Sequence, residues 1–431
     1  KVISPKLSIL MNYNFFKTNN VILIFIILYI SLILGFFYDE NLNLGAKPDW
    51  FAGDLPVIND LSLNLKDTLL NYDSYYAHRH SPVYLVFLSF FKSAGLGFDI
   101  IRLIHLNISL LLIYFFYKCL VLKFNHVEKK ILLILSLSIF LSPTFRSLAI
   151  WPSSRIIGLI LFTISILEFL KYLKYKEKKY IWKNTIFLIL SSYISPNYSL
   201  FIIFFNYHYL KINNFKDMIL VYTFCLISSF PFFYYIFVLD VNFFMVKTPG
   251  ALYGENVSLS FNFSDKILII SSIILFHMIP FLINKNFFYE LINKFKQNLL
   301  IIPAILTVFL SLLFFFGYQL NYTGGGIFFQ ISNIFFKNNI LFYLISFLSL
   351  ILLFSFSRNY FGNFLIFLIL IISNIQNTIY HKYYDPLIMI LFFSIITIPK
   401  SLKFFDKRKN ILLIYSFYIF YILARIVKNT L

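Results

Sequence analysis

Two adjacent carboxylates, Asp39 and Glu40, follow an apolar run that ends in Phe36, Phe37 and Tyr38. A carboxylate at a membrane edge, partly desolvated by aromatic neighbours, suits a general base that takes a proton from a hydroxyl. Read alone, the same pair is an ordinary polar helix end. Further on stand the triplet His78, Arg79 and His80, then Arg102 and His105, which share a helical face by their i, i+3 spacing. Arg146 and Arg155 flank a turn, and the stretch HKYYDP carries His381, Lys382, Tyr383, Tyr384 and Asp385. Cations at a bilayer edge can neutralise a phosphate, arginine as a planar bidentate donor and lysine as a point charge. Any one of them can instead reach for lipid headgroups. Tyr383 and Tyr384 offer aromatic faces and hydroxyls for sugar or lipid recognition, although tyrosine belts are common at interfaces. Asp54 is a supporting or acceptor-binding acid beside the reading of a solvated loop charge. His78 and His80 have no third ligand nearby, so neither a metal nor another cofactor is expected.

The elements that must position these residues are membrane helices. Of 431 residues, 60% are hydrophobic and 13% charged, against roughly 45–50% and 25% in a soluble domain. Continuous apolar runs exclude an alternating outer-membrane barrel. The fold class is therefore an all-α polytopic membrane protein. Apolar runs separated by lysine-rich loops read as about thirteen transmembrane helices in one integral membrane domain, 1–431. The basic loops KCLVLKFNHVEKK, KYLKYKEKKYIWK and KSLKFFDKRK belong on the cytoplasmic side, with the N-terminus. The first run, about 20–37, reads as a retained span, because YDENLNL follows it rather than a small-residue cleavage site. Segment 38–99 is then a long first external loop carrying juxtamembrane helices. Within it VYLVFLSFFKSAGL, 83–96, is too short to span and lies along the interface.

Acids are distributed unevenly: Asp39, Glu40, Asp49, Asp54, Asp60, Asp67 and Asp73 crowd into that first loop. A loop this long and this acidic is more than a connector. The net charge of +19 follows from the cytoplasmic lysines, and nucleic acid is not an expected partner. Cys119 and Cys225 form no CxxC motif or disulfide framework. Inside the apolar runs, Glu168 has Lys171 one turn on, His277 reads as a bond to a neighbouring helix, and TGGGI at 323–327 reads as a flexible loop.

In order along the chain come the acidic pair after helix 1, a long external segment, HRHSPVYLVFLSFF at 78–91, FDIIRLIHLN, a basic loop, and LSPTFRSLAIWPSSR. This series resembles the N-terminal half of the GT-C superfamily of membrane glycosyltransferases, which includes protein O-mannosyltransferases, aminoarabinose transferases of lipid A and lipid-linked oligosaccharide glucosyltransferases. The family's His-Pro-Pro-Leu-Tyr-like motif stands here as His80, Ser81, Pro82, Val83, Tyr84, with the first proline replaced. The resemblance covers residues 20–175 in motif order and the remainder in topology alone. It implies GT-C-like helices over 100–210 and variable C-terminal helices over 217–431. It also implies transfer of a sugar from a polyprenyl-phosphate carrier to a hydroxyl on a lipid-linked glycan, lipid or protein, on the external face of a bacterial inner membrane and with inversion. The catalytic base falls on Asp39, with Glu40 as the alternative, and the leaving lipid phosphate needs the external cations. A polytopic transporter or flippase for a lipid-linked glycan is the competing reading, and a glycan polymerase or ligase of related architecture another. The absence of an internal repeat and the scarcity of mid-membrane charge weigh against transport.

Overall fold

The computed structural model describes residues 18–73, 80–241, 262–284, 289, 293, 301–319, 324–376, 378–397 and 409–430. Its regular structure is helical, as the unbroken apolar runs require: without water to hydrogen-bond, a backbone in lipid must satisfy its own polar groups. Helix α1 is Thr18–Phe37; α2, Leu55–Leu63, and α3, Pro82–Ser93, are short helices of the segment after it; α4, Phe98–Ser109, continues as α5, Leu111–Lys123. Then follow α6, Lys129–Leu137; α7, Pro143–Ile150; α8, Ser154–Tyr175; α9, Lys178–Ile194; α10, Phe201–Leu210; and α11, Phe215–Phe233. The C-terminal part holds α12, Phe263–Leu282; α13, Ile301–Phe314; α14, Gly326–Phe336; α15, Ile340–Ser357; α16, Phe361–Ile372; α17, Leu387–Ser394; and α18, Lys409–Thr430.

A helix stands at every one of the apolar runs. Among the described residues, seven helical segments are long and apolar enough to cross a membrane: Asn20–Phe37, Phe98–Lys123, Ser154–Tyr175, Phe215–Val238, Phe263–Leu282, Ile340–Ser357 and Lys409–Thr430. An eighth would be the bent pair Lys129–Leu141 and Pro143–Ile150, which turns through 68°. The others, α9, α10, α13, α16 and α17, are shorter than the ~20 residues that a perpendicular crossing needs.

Two elements differ from the sequence reading. The SPTFR stretch is not a bare turn but the start of α7. Ser142, before Pro143, is held extended and its hydroxyl accepts the Phe145 N–H at 3.0 Å, so one dipeptide ends a helix and caps the next. The apolar stretch from Gly326 to Ser357, which reads as one of the thirteen runs, is two helices, because Lys337 adopts a left-handed φ of 55° and Asn338 and Asn339 interrupt the apolar pattern.

The interior is built around α8 and α12, each largely enclosed by other helices. Close approach is made possible at Gly158, where a Cβ would sit 2.5 Å from the Ser195 hydroxyl. Polar side chains inside make bonds between helices: Asn184 donates to the Ser165 carbonyl and hydroxyl, both at 2.8 Å. His277 meets His381, Nε2 to Nε2, at 3.0 Å. Glu168 pairs with Lys171.

Candidate functional site

Helix α1 ends in a Schellman cap. The Glu40 N–H bonds the Gly35 carbonyl at 2.8 Å and the Asp39 N–H bonds the Phe36 carbonyl at 3.3 Å, with Asp39 at φ 54°. Glycine is the usual occupant of that left-handed position, and an acid there faces the negative end of the helix dipole. Cations offset both. Arg102 Nη2 donates to Asp39 Oδ1 and Lys47 Nζ to Oδ2, each at 3.0 Å. Partial burial pushes the Asp39 carboxyl up, but these hydrogen bonds and the two positive charges together hold it below the usual carboxylate range. Its side chain remains 45% exposed.

Glu40 turns the other way. Arg146 reaches its two carboxylate oxygens through Nε and Nη2, both at 2.6 Å, and also donates to the hydroxyl and carbonyl of Ser31 on α1, at 3.1 and 2.9 Å. Only Gly35 leaves room for this fork: a Cβ there would lie 2.8 Å from Glu40 Oε2 and 3.1 Å from Arg146 Nη2.

Trp151, at the end of α7, binds the two halves of the turn. Its indole N–H donates to the Glu40 carbonyl at 2.9 Å, and its ring carries the Arg102 guanidinium at 3.8 Å and Lys47 at 5.2 Å. From the far end of the chain, α18 closes the same turn: Arg425 donates to the Leu42 carbonyl at 3.0 Å and Asn429 to the Asn41 carbonyl at 3.2 Å. Ser147 Oγ accepts the Asn43 N–H at 3.1 Å.

A second cluster is assembled from segments more than three hundred residues apart. Lys382 Nζ lies 3.1 Å from Asp49 Oδ2. Burial raises Asp49, but the charges of Lys382, His80 and Arg155 outweigh it and hold the carboxyl below its ordinary value. Burial lowers Lys382 by more than Asp49 restores. Arg155, at the start of α8, lies over the Tyr383 ring at 4.4 Å and donates to its hydroxyl at 3.2 Å, and that hydroxyl donates to Gln376 Oε1 at 2.9 Å. His80 Nδ1 is 3.2 Å from Asp54 Oδ1, and Tyr72 donates to the His80 carbonyl at 2.7 Å. Asp385 accepts the Thr144 N–H at 3.2 Å, tying the HKYYDP segment to α7; burial pushes its carboxyl up to about 6.

Of the sequence candidates, Asp39, Glu40, Arg102 and Arg146 thus meet around Trp151, while Asp54, His80, Arg155, Lys382 and Tyr383 meet around Asp49. Arg146, whose guanidinium is engaged by Glu40 and Ser31, belongs to the first group. His105 is buried, its Nε2–H donating to the Leu148 carbonyl at 2.8 Å and its Nδ1 accepting the Tyr84 hydroxyl. Tyr384 is buried against α16, its hydroxyl toward the Leu370 carbonyl at 3.4 Å. Both side chains hold the scaffold. His78 and Arg79 lie outside the described residues. Asp49, Lys47, Trp151 and Arg425 are additions that spacing did not mark. The chain matches no protein-family model, no curated protein and no solved structure.

Proposed function

We propose that this chain is an inverting membrane glycosyltransferase of GT-C type, moving a sugar from a polyprenyl-phosphate carrier to a hydroxyl of a glycan, lipid or protein. The observation that carries the reading is the carboxylate of Asp39: ionised, nearly half exposed and fixed at the end of α1 between Arg102 and Lys47. In this reading Asp39 takes the proton of the acceptor hydroxyl as that oxygen attacks the anomeric carbon. Glu40 fixes Arg146 beside it, and Lys382 and Arg155 stand ready for the phosphate. The ion pairs already made are no obstacle, since a phosphate oxygen competes with Asp49 and with the Tyr383 ring for the same donors. No cofactor is invoked.

The test is product formation. The full chain in nanodiscs, offered a panel of undecaprenyl-phosphate-linked sugars and membrane extracts as acceptor, is expected to form a new glycosidic bond seen by mass spectrometry. Movement of the lipid-linked sugar between leaflets of vesicles, with no new bond, would instead establish a flippase.

The same reading places thirteen helices in or across the membrane, the N-terminus in the cytoplasm and the site on the external face of a bacterial inner membrane. The lysine-rich loops support that orientation. With Cys119 and Cys225 replaced, Asp60→Cys is expected to react with an impermeant thiol reagent in intact cells and Lys178→Cys only after lysis. Reaction of both from one side would overturn the orientation.

A further inference from the structure

Arg155 opens α8 and Lys176 follows its last residue, so about 30 Å of helix, the depth of a bilayer's hydrocarbon core, separates the two. Around the second end the structure gathers lysines from the ends of three helices. Asn213, just past α10, donates to the Tyr172 hydroxyl in the last turn of α8 at 2.6 Å, and Lys178 pairs with Asp217 at 2.9 Å, which ties the start of α9 to the first turn of α11. Glu177 is taken by Lys179. Lys174, Lys176, Lys211 and Lys216 are exposed and make no ion pair with the described residues. Lys176 lies over the Tyr172 ring at 5.6 Å and Lys211 over the Tyr207 ring at 4.1 Å, contacts that hold the side chains and leave ammonium hydrogens for a further acceptor. The helix dipole accounts for a lysine at each helix end, since Lys176 closes α8 and Lys211 closes α10. It does not account for their meeting. Both charges are felt at the ring of His208, which packs on Gly362 of α16 and makes no hydrogen bond with the described residues. Like charges held in one neighbourhood repel, and an anion set between them turns that repulsion into attraction.

We infer that the face formed by the ends of α8 and α10 binds the headgroup of an anionic phospholipid, with Lys176 and Lys211 on its phosphate and His208 as the third hydrogen-bonding group. The surroundings of the lysines select a lipid over a soluble polyanion. Leu210, Ile212 and Phe215 are exposed beside them. Two helices long and apolar enough to cross a membrane meet this face, one ending at Tyr175 and the other beginning at Phe215. Cations at the ends of such helices lie at headgroup level, and acyl chains cover apolar side chains that a soluble polyanion would leave in water. The assignment uses none of the residues of the proposed transfer reaction and stands apart from it.

The experiment is native mass spectrometry of the full chain in detergent, titrated with cardiolipin, phosphatidylglycerol and phosphatidylcholine. The wild type is expected to bind the two anionic lipids more tightly than phosphatidylcholine. In the double variant Lys176→Asn with Lys211→Gln, Kd for the anionic lipids should rise about tenfold, the size of two exposed ion pairs, with phosphatidylcholine bound as before. Asparagine suits position 176, where φ is 60°. Lys118→Gln with Lys129→Gln removes the same charge from two other exposed lysines and should change little. An equal rise in both double variants would show that net charge alone draws the lipid, and would overturn the site. Lys176→Arg with Lys211→Arg should keep anionic binding; its loss there would trace the effect to the fold and overturn the assignment as well. Should the neutral variant fail to fold, salt decides on the wild type alone: raising ammonium acetate from about 0.05 to 0.5 M should remove most of the anionic preference, because exposed charges are screened at that strength, and a preference indifferent to salt refutes the lysine contacts. Wild-type protein with no preference for either anionic lipid would overturn the inference outright, and binding of heparin in its place would make this face a site for a soluble polyanion.

Discussion

Asp39→Asn should lower turnover by about 10²–10⁴, the usual contribution of a positioned general base, while undecaprenyl phosphate still binds. The substitution is a clean one because of where Asp39 sits. Asparagine is among the few residues that tolerate a left-handed φ, so the Schellman cap of α1 survives, and the amide oxygen still accepts one of the two bonds from Arg102 and Lys47. Arg102 keeps Asp99, at 3.1 Å, and its stacking on Trp151. What disappears is basicity. The pH dependence carries a second signature. A base works when ionised, so activity is present above its pKa and lost as pH falls through it. With Asp39 held below the ordinary carboxylate value by Lys47 and Arg102, that loss falls on the acid side of the usual carboxylate range, and this group imposes no limb near neutral pH. Any stability linked to the same carboxylate has the same sign: present above the unfolded-state value and lost on acidification. Normal turnover in Asp39→Asn together with loss in Glu40→Gln would move the role to Glu40; normal turnover in both and in the double variant would remove the carboxylate base altogether.

How much of this was legible in the sequence depends on the range of each interaction. Features with local causes could be read: the end of α1 at YDEN, the break at Ser142–Pro143, the short helix after His80, the Lys171–Glu168 pair at i, i+3. The acidic pair was visible for the same reason. Partners were not. Lys382 and Asp49 are separated by 333 residues, Arg425 and Leu42 by 383, and no periodicity or spacing encodes such a meeting. His105 and Tyr384 show the same limit from the other side: the sequence marks a histidine or tyrosine among apolar residues, but not the buried carbonyl or hydroxyl its side chain bonds. Arg146 and Arg155 share a sign and a turn, yet Arg146 lies within α7 and bonds Glu40, whereas Arg155 opens α8 and bonds Tyr383. Apolar length alone does not fix the number of membrane crossings for a related reason: α16 and α17 bury their apolar faces against neighbouring helices within about 12–18 Å of axial rise.

The largest effect on stability should come from Arg146→Gln, with a loss of about 3 kcal/mol, the lower end of what removing one partner from a buried pair costs, since Glu40 keeps a fifth of its side chain exposed. The guanidinium is 5% exposed and satisfies four acceptor atoms, two on Glu40 and two on Ser31. Glutamine can reach one or two of them and leaves the Glu40 carboxylate against α1 without a counter-charge. Glu40→Gln alone leaves the arginine charge buried and should also lower the melting temperature. The double variant should recover a substantial part of the loss, because the desolvation of an unmatched charge, rather than the missing attraction, dominates each single change. Melting of the detergent-purified chain, read as the order of the three variants, decides the matter. A melting temperature for Arg146→Gln equal to the wild type would show that the fork is a surface pair of little energetic weight. Additive losses in the double variant would show that Arg146 and Glu40 act separately. The coupling bears on the proposed base as well: the fork occupies both Glu40 oxygens from the side of α7, so the turn that follows α1 has one acid committed to holding it in place and one turned toward solvent.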